Sequence, residues 1–338
     1  MRTRKIVKKL CLECGISGRE QEMLEVIREL CGTFAEDIRM LPTGTIVVSL
    51  GRKDAQRHIM LDAHIDRIGL IVTYIDDNGF IKAEPVGGMD LRALAGTVVT
   101  VQGTEAVTGV ICTLPPHLVK KEDGMTRDMI WIDTGLSAEQ VRRIVKPGDT
   151  ALVRSTFREL LNRQVAVSAL DNRAGCAVLI RCAQLLDQKL RHTRVSLVFS
   201  SQEETNESGA KTAAFLLQPD EAIVVDVGFA RQDGVPASQS GAMGKGPIFS
   251  IAPVLSRRLT DALMETADRL DISYDYEVDG GNTGTNADGI AVTGSGIPCA
   301  VISVPEKNMH TQTETVSLDD IDSTAAVIAE YILGGDTK

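Results

Sequence analysis

The chain has 338 residues, 43% hydrophobic and 24% charged, with a formal net charge of −10. That length predicts a large domain accompanied by a smaller one, and the composition excludes disordered, fibrous and membrane classes. The acidic balance argues against nucleic acid or an anionic membrane as a partner, and no apolar run approaches the roughly 20 residues that cross a bilayer.

At the start of the chain, Lys8, Lys9, Glu13 and Arg19 leave no room for a signal-peptide apolar core, so a cytoplasmic location is expected. Residues 5–13 have helical periodicity, ended by Gly15-Ile16-Ser17-Gly18. Ser17 followed by Glu20 has the spacing of a capping box and predicts a second helix to about residue 30. The C-x-x-C pair Cys11 and Cys14 lies in this region, but no second pair completes a zinc site. The seven cysteines read as reduced core thiols.

Residues 44–50 and 57–63 read as strands, the second running into His64-Ile65-Asp66. The character then changes to short β-like runs at 69–75, 80–85, 97–102, 106–112, 129–133 and 151–154, with one helix at 137–145. This predicts an inserted β-rich domain over 67–161, interrupting a discontinuous domain of 1–66 and 162–338. After residue 165, helices at 173–190, 209–217, 256–270 and 318–333 alternate with buried strands at 194–200, 221–227 and 298–304. That is the pattern of an α/β domain with a parallel-rich mixed sheet and helices on both faces. The glycine-rich stretch 280–296 reads as a functional loop.

Groups suited to a divalent cation recur at the carboxyl ends of the predicted buried strands, where open α/β sheets bind ligands. His64 and Asp66 follow one strand, Glu203 and Glu204 another, Asp226 ends a third, and His310 follows a fourth. Asp171 joins them from the turn before the helix at 173–190. Two divalent ions would be balanced by Asp171, Glu204, Asp226 and a hydroxide, with His64 and His310 giving each ion one nitrogen. Glu203 is then free to act as a base. Asp66, two residues from His64 on an extended chain, has the spacing to orient its imidazole.

The segments Leu61-Asp62-Ala63-His64-Ile65-Asp66-Arg67-Ile68-Gly69, Ala169-Leu170-Asp171-Asn172-Arg173-Ala174-Gly175, Gln202-Glu203-Glu204, Val225-Asp226-Val227 and Met309-His310, with Pro115-Pro116-His117, occur in the order found in one family. Across essentially the whole chain the sequence resembles the TET or glutamyl-aminopeptidase family of dinuclear metallopeptidases, members of which have been labelled endoglucanase-like. The resemblance implies an MH-clan metallopeptidase-like fold with an inserted β-barrel-like dimerisation domain, and a homo-oligomer ranging from dimer to dodecamer. It implies that Asp171 bridges two metals, His64 and Asp226 complete one, and Glu204 and His310 complete the other. Glu203 would be the general base and Asp66 the partner of His64. The expected reaction is removal of N-terminal residues from short peptides through a metal-activated water, with zinc, cobalt or manganese as the ion. The chain departs from the family pattern at Thr205-Asn206-Glu207-Ser208 and at Asn286, where the family often has aspartate.

Two other classes compete. A glycoside hydrolase could use Glu203 and Glu204, but such enzymes place their carboxyls on opposite sides of a bond, and aromatic residues are only 4% of the chain. A catalytically silent assembly or binding protein on the same fold requires loss of a ligand or base, whereas all seven positions are filled.

Overall fold

The computed structural model describes residues 2–115 and 125–336, so Pro116-His117 of the predicted motif lies outside the described residues. The chain opens with α1 (Thr3–Leu12), α2 (Met23–Cys31), β1 (Asp37–Met40), β2 (Ile46–Leu50) and β3 (Arg57–His64). Next come β4 (Gly69–Ile75), β5 (Ile81–Val86), β6 (Val98–Gln102), β7 (Ala106–Ile111), β8 (Trp131–Asp133), α3 (Ala138–Ile144) and β9 (Thr150–Val153). The remainder is β10 (Arg158–Glu159), β11 (Gln164–Val167), α4 (Leu170–Leu186), β12 (Thr193–Ser200), α5 (Glu203–Asn206), α6 (Ser208–Leu217), β13 (Glu221–Phe229) and β14 (Ile248–Ile251), then α7 (Arg257–Arg269), β15 (Asp275–Val278), α8 (Asn286–Ala291), β16 (Cys299–Lys307), β17 (Glu314–Ser317) and α9 (Leu318–Gly335).

An 11-stranded sheet runs β1-β2-β12-β3-β13-β16-β17-β11-β10, with β14 and β15 branching from β16. Its centre, β12-β3-β13-β16, is parallel. Alternation along these strands fills two cores. Ile59, Leu61 and Ala63 of β3 pack with α1, α2, α4 and α9, while Met60 faces the opposite layer with Ala210, Ala213 and Ile290 of α6 and α8. Helices therefore cover both faces, as the strand and helix alternation predicts. Strands β4-β5-β8-β7-β6-β9 close into a separate barrel around a core of Leu70, Val99, Ile111 and Ile132. Closure leaves no unpaired edge among these strands. The main sheet resumes at β10, before residue 162. Among the described residues no helix is long and apolar enough to cross a membrane.

Two local expectations are corrected. Ser17 caps no helix: its hydroxyl donates to Asp66 Oδ2 at 2.5 Å, and Glu20, 1% exposed, accepts from the amides of Gly18 and Gln202. Helix α2 starts at Met23 without a side-chain cap, because both predicted capping groups are taken by tertiary partners. The stretch 280–296 is not all loop; it holds α8, whose N-terminus is capped by the Thr285 hydroxyl. Strands β1, β11, β14, β15 and β17 are too short to show a readable period, and β11, β14, β15 and β17 gain hydrogen bonds from strands distant in sequence.

Candidate metal centre

Strand β12 stops at Ser200, and Gln202, at φ 60°, turns the chain into α5. Glu203 and Glu204 therefore open a helical turn and do not end a strand. Their side chains diverge by the helical step of about 100°, not by the pleat expected of an extended chain. The cap on this turn comes from elsewhere: Asp66 accepts the Glu203 amide at Oδ1 (3.1 Å) and the Glu204 amide at Oδ2 (3.3 Å). Its Oδ1 lies 3.6 Å from His64 Nδ1, beyond hydrogen-bond length, and the Asp66 carbonyl is nearer at 3.3 Å. Asp66 thus orients the glutamate turn more directly than it orients the imidazole.

The remaining groups converge on Asp171, which stands where α4 has not yet become helical and follows Ala169 at φ 64°. One carboxylate oxygen, Oδ1, is 3.1 Å from His64 Nε2; the other, Oδ2, is 3.0 Å from His310 Nε2. Asp226 Oδ1 and Glu203 Oε2 lie 3.7 and 3.8 Å from His64 Nε2, and Glu204 Oε1 lies 3.6 Å from His310 Nε2. Donor atoms of His64, Glu203 and Asp226 fall within 4.8 Å of one another, as do those of Asp171, Glu204 and His310. His310 is itself at φ 61°, so Ala169, Gln202 and His310 are all L-residues in the left-handed region. Such residues cost about 1–3 kcal/mol each and persist only where the surroundings impose them.

The electrostatics describe buried carboxylates crowded around two imidazoles. Burial, reinforced by the charge of Asp171, pushes Glu204 up to about 8, and burial raises Asp226 well above its ordinary value. Burial also raises Glu203, against the opposing pull of His64. For His310 burial opposes protonation, but the hydrogen bond to Asp171 and the charge of Glu204 prevail and carry it to about 9. Buried Glu204 Oε1 has no hydrogen-bond partner. Paired oxygens aimed at two imidazoles, an orphaned buried carboxylate oxygen and a nitrogen–oxygen donor set all fit two divalent ions of the borderline class.

Further residues escaped sequence reasoning. Glu314 Oε2 accepts the amides of Leu170 (2.6 Å) and Asp171 (3.2 Å), holding the turn that carries the shared carboxylate. Beside it in charge, Glu306 is buried with both oxygens unpartnered. Gly88, leaving barrel strand β5, accepts from His310 Nδ1 at 2.7 Å. Asn286 donates to Asp62 Oδ2 and Ser200 Oγ, both at 2.8 Å, so the departure from aspartate supplies an amide donor beneath the site. Asp62 alone left a signal: an acid two residues from His64 in an apolar strand. His58 is hydrogen-bonded to Ser196 and held down to about 4, chiefly by burial. All seven cysteines are free, and burial pushes the Cys11 thiol up to about 12.

A family model described as M42 glutamyl aminopeptidase matches residues 44–327. A putative aminopeptidase of Acetivibrio thermocellus is 32% identical over 334 residues, covering 97% of each chain. Among solved structures, a TET aminopeptidase from a marine sediment archaeon of the Thaumarchaeota superposes with a TM-score of 0.91 at 26% identity, covering 99% of this chain and 98% of that one. The TET1 peptidase of Pyrococcus horikoshii, described as assembling into a tetrahedron or a large octahedral shell, gives 0.85 at 31% identity over 97% and 98%.

Proposed function

Because the chain belongs to the M42 glutamyl aminopeptidase family, we propose that it is a metal-dependent aminopeptidase removing N-terminal residues from short peptides. The observation that carries this reading is Asp171, whose two oxygens meet His64 and His310 at 3.1 and 3.0 Å. In the proposal Asp171 would be shared by two ions, His64 and Asp226 would hold one, and Glu204 and His310 the other. Zinc suits this donor set, with cobalt or manganese as alternatives. When bound, the ions would supply Lewis acidity and an activated water near neutral pH.

The protein's own groups do the rest. Glu203 has its carboxyl raised by burial, which suits a group that takes a proton from water and returns it to the leaving amine. Asp66, buried and accepting the Glu203 and Glu204 amides, is a positioning residue that sets where those carboxylates point. His310 is held by Gly88 of the barrel segment, so the barrel helps orient a ligand. The same proposal includes a homo-oligomer built through the barrel, in keeping with assemblies described for related TET peptidases.

Glu203→Gln tests the proton role. Turnover of aminoacyl substrates is expected to fall by roughly 10²–10⁴-fold while metal content by atomic absorption stays near the wild-type level. Undiminished turnover would remove Glu203 from the mechanism.

A further inference from the structure

The cleft that holds the candidate ligands has an empty volume of about 950 Å³ and extends past them to Val227, Phe229, Glu277 and Asp279. Strand β15 explains the two acids. Its alternate residues Tyr276 and Val278 are 60% and 64% exposed, which turns Glu277 toward the cleft interior; Asp279 follows at the strand's end, with its amide bound to the Ile251 carbonyl. Glu277 is held in place by the hydroxyl of Ser250, 1% exposed, which donates to Oε1 at 2.7 Å. Among the described residues no other donor reaches the Glu277 carboxylate, and no donor reaches that of Asp279. Burial, and then the nearby charge of Asp279, push Glu277 upward. Among the described residues no lysine or arginine lines the cleft. Two carboxylates in this cleft with no described lysine or arginine beside them favour a cationic group and repel an anionic one. Phe229, 47% exposed, offers an apolar surface for the methylene stem of a long basic side chain.

Resting on the peptidase reading above, we propose that this cleft selects peptides with a basic N-terminal residue, lysine or arginine, whose side-chain cation is taken by Glu277 and Asp279. The α-amine is a competing occupant of the same carboxylates. The two differ in outcome, since every substrate has an α-amine but only basic ones carry the second cation.

The test compares kcat/KM for lysyl, norleucyl and glutamyl arylamides in the metal-loaded enzyme, in Glu277→Gln and in Asp279→Asn. Lysyl is expected to exceed norleucyl by on the order of tenfold and glutamyl by more, with the lysyl-to-norleucyl ratio collapsing in either variant. Gln keeps the acceptor for Ser250, and the Asp279 variant carries the test if the first fails to fold. Glutamyl hydrolysis matching lysyl, or a uniform loss across all three substrates, would overturn the proposal; the second result would assign the acids to the α-amine. Calorimetric binding of free lysine, norleucine and glutamate separates this inference from its premise. Tighter lysine binding with no hydrolysis of any arylamide would uphold cation selection while removing the peptidase reading. Equal binding of the three, with hydrolysis intact, would do the reverse.

Discussion

Glu314 bears on the site without reaching a proposed metal position. By accepting two amide hydrogens at the Leu170-Asp171 turn it fixes the backbone from which the shared carboxylate extends. Glu314→Ala is expected to weaken metal binding about 10–100-fold in competition with a chromophoric chelator. Glu314→Gln, which keeps an acceptor oxygen, should recover part of the loss. Protonation follows from the same crowding. Glu204, raised to about 8, and His310, raised to about 9, both bind protons more tightly folded than unfolded. Each contribution is therefore full at low pH and disappears as pH climbs through the folded value. Metal-free protein should lose this stability between pH 4.5, where Glu204 begins to differ from the unfolded chain, and about 9, whereas metal-loaded protein, whose ions replace those protons, should show a flatter series of melting temperatures.

Among the elements, α1 and α4 are locked by Arg173, a fully buried arginine at the first regular turn of α4. Its guanidinium donates to the carbonyls of Leu10 (2.5 Å), Glu13 (2.6 Å) and Cys14 at the end of α1, and to that of Ile65 (3.3 Å) beyond β3. Cations are favoured at a helix C-terminus, where carbonyls lack partners. Arg173→Met would orphan these buried carbonyls and is expected to cost on the order of 3 kcal/mol, read from urea unfolding at constant m-value. The sequence predicted a helix from residue 173 but assigned Arg173 no partners. The Ser17 and Glu20 pair failed for the same reason: both side chains bond across the fold, to Asp66 and Gln202, and a capping box can be recognised only if its partners are local.

For the whole molecule, the barrel is both a neighbour of the site and the proposed assembly surface. Its strands leave Ile71, Tyr74, Val98 and Val110 exposed by 36%, 54%, 40% and 44%. Native mass by light scattering is expected at a multiple of the monomer, and the double substitution Tyr74→Glu with Val110→Lys should shift it downward if these strands pack against a second copy. Unchanged mass in that variant would place the assembly surface elsewhere.

The fold class and the members of the candidate site were legible in the linear chain because both rest on local or repeated signals. Buried strands announce themselves by apolar runs, helices by their period, and ligand-type residues by falling where those strands end. What the tertiary structure decided was partnership. Only the folded chain puts Asp171 between two imidazoles, hands the Asp66 carboxylate to the glutamate turn, places Glu314 behind Asp171 and brings Gly88 of the barrel to His310. These contacts join residues more than a hundred positions apart, and a hydrogen-bond partner at that separation leaves no period or spacing in the sequence that specifies it.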